Sequence, residues 1–134
     1  MLKKLFFYWL PLVIWAVIIF FFSSKPTIKT SDFFWTDFIL KKTAHFGEYL
    51  IFYLLLFRTV YYQKKVINRY DYIYPLIFVV IYAISDEFHQ SFIPGRESRV
   101  KDVIIDSTGG FIAICFLKKL LPNLPKKLQI LVKA

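Results

Sequence analysis

Four long apolar stretches follow one another along the chain, separated by short polar segments. They cover residues 5–22, 43–62, 70–88 and 103–121. The length of each stretch is close to the roughly 17–25 residues that a helix needs to cross the hydrocarbon core of a bilayer. The pattern therefore predicts an all-α integral membrane bundle of four transmembrane helices, with residues 1–134 forming one domain.

Composition agrees with a membrane protein and excludes other classes. Of 134 residues, 57% are hydrophobic and 21% aromatic, more apolar surface than a soluble domain of this length can bury. The single Cys115 lies inside an apolar stretch and offers no disulfide framework. The net charge of +9 does not indicate nucleic-acid binding, because Lys and Arg lie between the apolar stretches. The expected partner is the lipid bilayer, and the expected location is the cell membrane, as a multi-pass protein.

The first apolar stretch has a competing interpretation as a cleaved signal peptide. Leu5 to Phe22 is longer than the usual hydrophobic region of such a peptide, and Ser23, Ser24 and Lys25 after it make a poor cleavage site. We therefore interpret the stretch as a retained transmembrane helix. Pro11 in its interior should kink it.

The distribution of charge predicts the orientation of the bundle. Eleven Lys and Arg fall on the side of the two termini, against seven on the opposite side. The positive-inside rule then places both termini in the cytoplasm. Eight of the nine Asp and Glu fall on the opposite side or at the helix ends there. The polar chemistry is thus predicted at the extracytoplasmic face.

The outer segment between the first two spans is rich in aromatic residues. A helical spacing after a candidate cap at 31–32 is followed by Phe33, Phe34, Trp35, Phe38 and Ile39. Two interpretations stay open: a short helix lying in the headgroup region, or an aromatic belt that anchors the start of the second span.

A first polar cluster lies at the start of the second span. Lys42, His45 and Glu48 are spaced i, i+3, i+6 and so share a helix face. Glu48 lies about 9 Å deeper than Lys42 at 1.5 Å per residue. An ionisable side chain at that depth costs roughly 2.5–3.5 kcal/mol on insertion scales, and such groups usually mark a function.

Two further clusters are predicted at the same depth. Asp86 at the end of the third span can meet His89 and Gln90 if the helix continues, and Glu87 lies beside it; a Pro-Gly turn and the cations Arg96, Arg99 and Lys101 follow. On the fourth span, Asp102 and Asp106 are one turn apart and precede Gly109, Gly110 and Ala113. Gly109 and Ala113 form a pair of small residues that lets another helix approach closely.

Three functions compete for these clusters. A structural network would pair the acids with the cations and hold four short helices together. A binding site would recognise an anionic or zwitterionic headgroup, with Lys42, Arg96 and Arg99 as partners of its phosphate or carboxylate. An intramembrane enzyme would use acid–base or metal chemistry. The candidate ligand-binding residues are Lys42, His45, Glu48, Asp86, Glu87, His89, Gln90, Arg96, Asp102 and Asp106. The catalytic candidates are His45, Glu48, Asp86, Glu87 and His89. A divalent metal would use His45, Glu48, Glu87 and His89, with Asp106 as a further donor.

The same residues resemble the VanZ-like family of bacterial membrane proteins. The resemblance rests on KTAHFGEY at 42–49, SDEFHQSFIPGR at 85–96, and the later Asp102-Val103 and Gly109-Gly110. It implies a small membrane domain over about residues 5–120, in a family named after a member associated with resistance to teicoplanin. A cell-envelope role at the outer leaflet is what it leads us to expect. The chain departs from the family at Asp106, where Asn is frequent.

Overall fold

Four α-helices make up most of the fold, as the apolar pattern predicts. The structure, a computed structural model, describes residues 2–26, 34–61, 64, 66–96 and 98–123. The helices are α1 (Leu2–Ser23), α2 (Phe34–Tyr61), α3 (Ile73–Gln90) and α4 (Val100–Cys115). A 3-10 turn at Arg69–Tyr72 precedes α3, and a π turn at Phe116–Leu120 and a 3-10 turn at Leu121–Asn123 continue α4. The all-α prediction is confirmed.

The helix ends differ from the apolar stretches in informative ways. Helix α2 is continuous from Phe34, so Trp35 and Phe38 belong to α2 rather than to a separate helix. The interpretation as a short separate helix is therefore wrong; the candidate cap at 31–32 lies outside the described residues. Helix α3 begins three residues later than the stretch at 70–88 and runs on to Gln90. Helix α4 begins three residues earlier than 103, which places Asp102 in its first turn.

One helix in the described part of the chain is long and apolar enough, taken alone, to cross a membrane. It is α1, whose segment Phe6–Ser23 has a mean hydropathy of 2.2 and is mostly unburied. Helix α2 carries several charged side chains, and α4 is 16 residues long before its π turn.

Helix α2 occupies the centre of the bundle and contacts each of the other three helices. Its closest approach is to α4 at Gly109, where a Cβ atom would lie 2.4 Å from the carbonyl oxygen of Phe46 and 3.1 Å from the backbone nitrogen of Leu50. No side chain fits at that distance, so the prediction of close helix packing at Gly109 is confirmed. A Cβ on Gly110 would meet Leu76 and Val79 of α3 at 3.0 and 3.2 Å.

The outward faces of the helices are apolar. Large exposed hydrophobic side chains occur on all four of them. They include Phe6, Phe7, Val13, Val17, Ile39, Ile51, Ile77, Phe78, Ile81, Ile104 and Phe111. The buried core is formed mainly by α2 residues such as Tyr49, Phe52 and Tyr53. Such a surface is far more apolar than that of a soluble monomer.

Polar contacts also hold the end of the bundle opposite the clusters. Thr59 donates to the carbonyl oxygen of Tyr8 at 2.9 Å, which joins α2 to α1. Asp71 lies in the turn before α3, and the Lys64 ammonium contacts both of its carboxylate oxygens at 2.7 Å. Lys64 and the backbone N–H of Asn68 hold the pKa of Asp71 below its usual value.

Candidate functional site

Side chains from all four helices meet at one end of the bundle. The C-terminal ends of α1 and α3 and the N-terminal halves of α2 and α4 lie there, because consecutive helices alternate in direction. Cross-helix contacts such as Ser23 with Asp86 and Lys42 with Asp102 define this polar end. The three clusters predicted from the sequence therefore lie at one end of the structure.

The face between α2 and α4 carries two matched pairs. Lys42 forms an ion pair and a hydrogen bond with Asp102. One turn further along, the Nδ1 atom of His45 lies 3.5 Å from Oδ1 of Asp106. The pairs match in order because α2 and α4 run in the same direction. Asp106 has no solvent exposure, whereas the His45 side chain keeps 20%.

Asp86 accepts hydrogen bonds from three different helices. Its Oδ2 atom receives the hydroxyl of Ser23 at 2.8 Å, the amide of Gln90 at 2.9 Å and the hydroxyl of Tyr49 at 3.3 Å. The predicted contact with Gln90 is thus confirmed, since α3 continues to that residue. Three donors on one oxygen make Asp86 the junction of α1, α2 and α3.

His89 does not join Asp86, which corrects the expectation from their spacing. Its Nε2 atom lies 3.0 Å from the hydroxyl oxygen of Ser24 instead. The imidazole stacks on the ring of Phe20, with 4.5 Å between the centroids. The side chain therefore faces the end of α1 rather than the interior of the cluster.

Arg96 ties the loop after α3 to the end of α1. Its guanidinium donates to the carbonyl oxygens of Phe22 at 2.7 Å and Lys25 at 2.8 Å, and to the side-chain oxygen of Gln90 at 2.9 Å. The Phe22 carbonyl belongs to the last turn of α1, whose carbonyls lack partners within the helix. A cation is also favourable at a helix C-terminus. Arg96 thus uses three of its five N–H donors on the protein, which leaves fewer for a phosphate than the sequence suggested.

Glu87 binds a backbone group at the start of α4, as Arg96 does at the end of α1. Its Oε2 atom accepts the backbone N–H of Arg99, the residue that precedes the helix, at 2.9 Å. A carboxylate at a helix N-terminus is favoured by the helix dipole. Glu87 is only 3% exposed, so this capping carboxylate is buried.

Glu48 lies between the two networks. Its half-buried carboxylate is close enough to His45, Asp106, Asp86 and Arg96 to interact with all four electrostatically. Its backbone carbonyl accepts the indole N–H of Trp15 at 2.9 Å, which fixes this turn of α2 against α1. Glu48 is thus the side chain best placed to couple the α2–α4 face to the Asp86 junction.

The polar end has more acceptors than donors. In the described part of the chain, Oδ1 of Asp86, Oε1 of Glu87 and both carboxylate oxygens of Asp106 are buried and make no hydrogen bond. At 3.5 Å, Nδ1 of His45 is too far from Asp106 for a good hydrogen bond. Leaving a buried polar group unpaired costs about 1–3 kcal/mol, and more when it is charged. This end of the bundle therefore holds more buried carboxylate oxygens than donors to satisfy them.

The metal donors suggested by the sequence do not come together. Among the described residues, no group of three His, Cys, Asp or Glu side chains could hold one metal ion. Glu87 faces the start of α4 and His89 faces α1, whereas His45 and Glu48 lie on α2. We therefore derive no chemistry through a metal at this site.

Several contributors to the site were missed from the sequence. Ser23 and Ser24 bind Asp86 and His89, and Tyr49 adds a third hydroxyl. The signal available was the placement of two serines directly after an apolar stretch, at the depth of the other clusters.

Comparison with known protein families identifies the chain's relatives. The VanZ/LLP1 family matches residues 7–121. The chain belongs to this family. The match covers α1 from residue 7 onward and all of α2, α3 and α4, with both sequence blocks that carry the resemblance and the polar end. Searches of curated proteins and of solved structures find no match. The VanZ family comprises membrane proteins, and VanZ itself is associated with resistance to teicoplanin.

Proposed function

We propose that this VanZ-family protein crosses the bacterial cell membrane four times and recognises the headgroup of an envelope lipid at its outer face. Both termini lie in the cytoplasm in this proposal, and Lys42, His45, Glu48, Asp86 and the loop of Arg96 face the outer leaflet. The role belongs to the cell envelope, in line with the association of VanZ with teicoplanin resistance.

The apolar outer surface supports the membrane part of the proposal. Helix α1 has 22 residues and α2 has 28, which at 1.5 Å per residue gives about 33 and 42 Å. Helix α4 and its π turn together cover Val100 to Leu120. These lengths are adequate for a hydrocarbon core of about 30 Å. The charged residues of α2, α3 and α4 lie mostly near helix ends or face the bundle interior.

The observation that carries the binding proposal is the gathering of ionisable side chains from several helices at one end. Glu48, Asp86, Glu87, Asp102 and Asp106 all lie there, and burying a carboxylate is costly unless it is paired. A scaffold would need each of these groups to be satisfied. Several of their oxygens are not, which supports a role in binding.

The excess of acceptors favours one chemistry of headgroup. A zwitterionic headgroup with N–H donors would bind the half-buried carboxylate of Glu48 and neutralise negative charge at this end. Exposed lysines at the rim, Lys25 and Lys101, would attract its phosphate. Phosphatidylethanolamine has these properties, whereas phosphatidylcholine has the same net charge but no N–H donor.

The difference between these two lipids provides the test. The purified protein in detergent is titrated with phosphatidylethanolamine, phosphatidylcholine and phosphatidylglycerol of matched acyl chains, and its melting temperature is measured. We expect phosphatidylethanolamine to raise the melting temperature more than phosphatidylcholine does. Equal effects of these two would refute recognition through N–H donors. Equal effects of all three would refute headgroup recognition altogether.

A second candidate, an acid–base enzyme at the same end, is favoured by one contact. The Ser24 hydroxyl lies 3.0 Å from Nε2 of His89, the distance needed for a hydroxyl nucleophile and its base. The carbonyl oxygen of Phe20 lies 2.7 Å from the same hydroxyl and competes for its single proton. The test incubates the protein with lipid and measures whether a water-soluble product is released. Release by the parent protein that is lost in Ser24→Ala would favour this candidate over binding alone.

A further inference from the structure

An apolar groove lies beside the polar end and shares only Phe20 with it. It has a volume of about 420 Å³ and follows one face of α1 from Trp9 to Phe20, with Phe52 of α2 and Tyr82 of α3 at its side. The hydroxyl of Tyr82 is bound to the carbonyl oxygen of Ala16 at 2.7 Å. The one polar atom of this tyrosine is thereby satisfied, and the lining is almost wholly apolar.

The length of the groove corresponds to one leaflet of a bilayer. Trp9 and Phe20 are eleven residues apart, which corresponds to about 16 Å along a helix. Half of a hydrocarbon core of about 30 Å is about 15 Å. The groove therefore extends from the polar end to about the middle of the membrane, as an acyl chain of the outer leaflet does.

The upper end of the groove is continuous with the polar site. Phe20 lines the groove and also stacks on His89, whose Nε2 lies next to the Ser24 hydroxyl. One turn further, the Lys25 ammonium lies 4.4 Å from the centre of the Phe21 ring. The Ser24 hydroxyl, the His89 imidazole and the Lys25 ammonium therefore lie at the end of the groove. A lipid whose hydrocarbon chain occupied the groove would have its glycerol and phosphate at this end.

We propose that the groove on α1 holds one hydrocarbon chain of the lipid whose headgroup is recognised at the polar end. This inference rests on the proposed function and specifies its ligand as an intact membrane lipid, bound by head and chain together. The phosphate would lie near Ser24, Lys25 and His89, and the donor end of the headgroup would reach toward Glu48. Because the surrounding lipid or detergent is itself apolar, the chain adds affinity through van der Waals packing in the groove.

Two neighbouring residues of α1 provide a matched pair of variants. Val13 lines the groove, whereas Ile14 does not, and their exposed fractions are similar at 52% and 49%. Val13→Trp fills the groove, and Ile14→Trp places the same bulk on an open face. Val17→Trp, also in the groove, serves as a second filling variant if Val13→Trp does not fold.

The test measures binding of phosphatidylethanolamine to each folded variant by native mass spectrometry, with long acyl chains and with six-carbon chains. We expect Val13→Trp to weaken binding of the long-chain lipid about tenfold and Ile14→Trp to leave it unchanged. Binding of the six-carbon analogue should be equal in all variants. Equal long-chain binding in both variants would overturn the groove proposal while leaving headgroup recognition intact. Failure of the parent protein to prefer phosphatidylethanolamine over phosphatidylcholine would refute the proposed function, and with it this inference.

Discussion

His45 and Asp106 face each other across the contact of α2 and α4, with 3.5 Å between Nδ1 and Oδ1 and no solvent at the carboxylate. At Asp106 the resemblance to the VanZ-like family leads us to expect Asn. Within the described residues neither oxygen of Asp106 makes a hydrogen bond. An amide at this position would remove a buried carboxylate and supply an N–H donor to its surroundings.

We therefore expect Asp106→Asn to keep or raise the melting temperature of the protein. Relieving an unpaired buried group is worth about 1–3 kcal/mol at most, since the amide has its own hydrogen-bonding needs. His45→Ala in the parent should lower the melting temperature, because it removes the imidazole that lies 3.5 Å from the carboxylate. In the Asp106→Asn background, His45→Ala should lower the melting temperature by less than it does in the parent. Additive effects of the two substitutions would show that the residues do not interact.

Two glycines provide a test of the close contact between α2 and α4. A Cβ on Gly109 would lie 2.4 Å from a backbone oxygen of Phe46, whereas a Cβ on Gly47 would meet nothing within 4 Å. Gly47→Ala should stabilise the helix by up to about 1 kcal/mol, since alanine is the better helix former. Gly109→Ala should instead lower the melting temperature, because backbone atoms must move apart. Similar melting curves for the two variants would refute the packing account.

Substitution of Arg96 tests its role as a structural tie. Arg96→Lys keeps the positive charge but cannot make three directed hydrogen bonds to two carbonyls and Gln90. The loss should be about 1 kcal/mol for each bond that is not replaced. Arg69→Lys is the control, because its guanidinium makes an exposed contact with Tyr70. An unchanged melting temperature in Arg96→Lys would return this residue to the set of candidate ligand groups.

The orientation of the bundle can be measured with single cysteines. Cys115 is first replaced by alanine, and Ser91→Cys or Val66→Cys is then introduced at exposed positions at opposite ends of α3. In intact cells, an impermeant thiol reagent should label the variant at Ser91 and not the one at Val66. Labelling only at Val66 would place the polar end in the cytoplasm and remove the proposed outer-leaflet role.

Local spacing in the sequence predicted which polar residues lie together on one helix, but not which residues of other segments they contact. The spacing of Lys42 and His45 on one helix, and of Asp102 and Asp106 on another, was sufficient to place two faces that match. The contact of Asp86 with Gln90 also follows from helix geometry, since both lie within one turn. These are relations within single helices, for which the helical repeat is a sufficient guide.

Contacts between distant segments could not be derived in this way. Arg96 reaches carbonyl groups more than seventy residues earlier in the chain, and His89 meets Ser24 across 65 residues. Every residue has a backbone carbonyl, so the sequence does not show which carbonyl will accept a hydrogen bond. Arg96 was therefore predicted to bind a ligand rather than to join two segments of the chain. The start of α2 at Phe34 was also missed, because the lysines at 41–42 interrupt the apolar pattern without interrupting the helix.

Substitution of Glu48 tests the central claim most directly. Glu48→Gln keeps the shape of the side chain and deletes its charge, and Asp71→Asn makes the equivalent change at the opposite end of the bundle. The melting temperature and the preference for phosphatidylethanolamine over phosphatidylcholine are measured for both variants. We predict that Glu48→Gln retains its stability and loses the preference, as a binding residue does, while Asp71→Asn retains the preference. A Glu48→Gln protein that melts far below the parent, or that keeps the full preference, would contradict a headgroup site at this end.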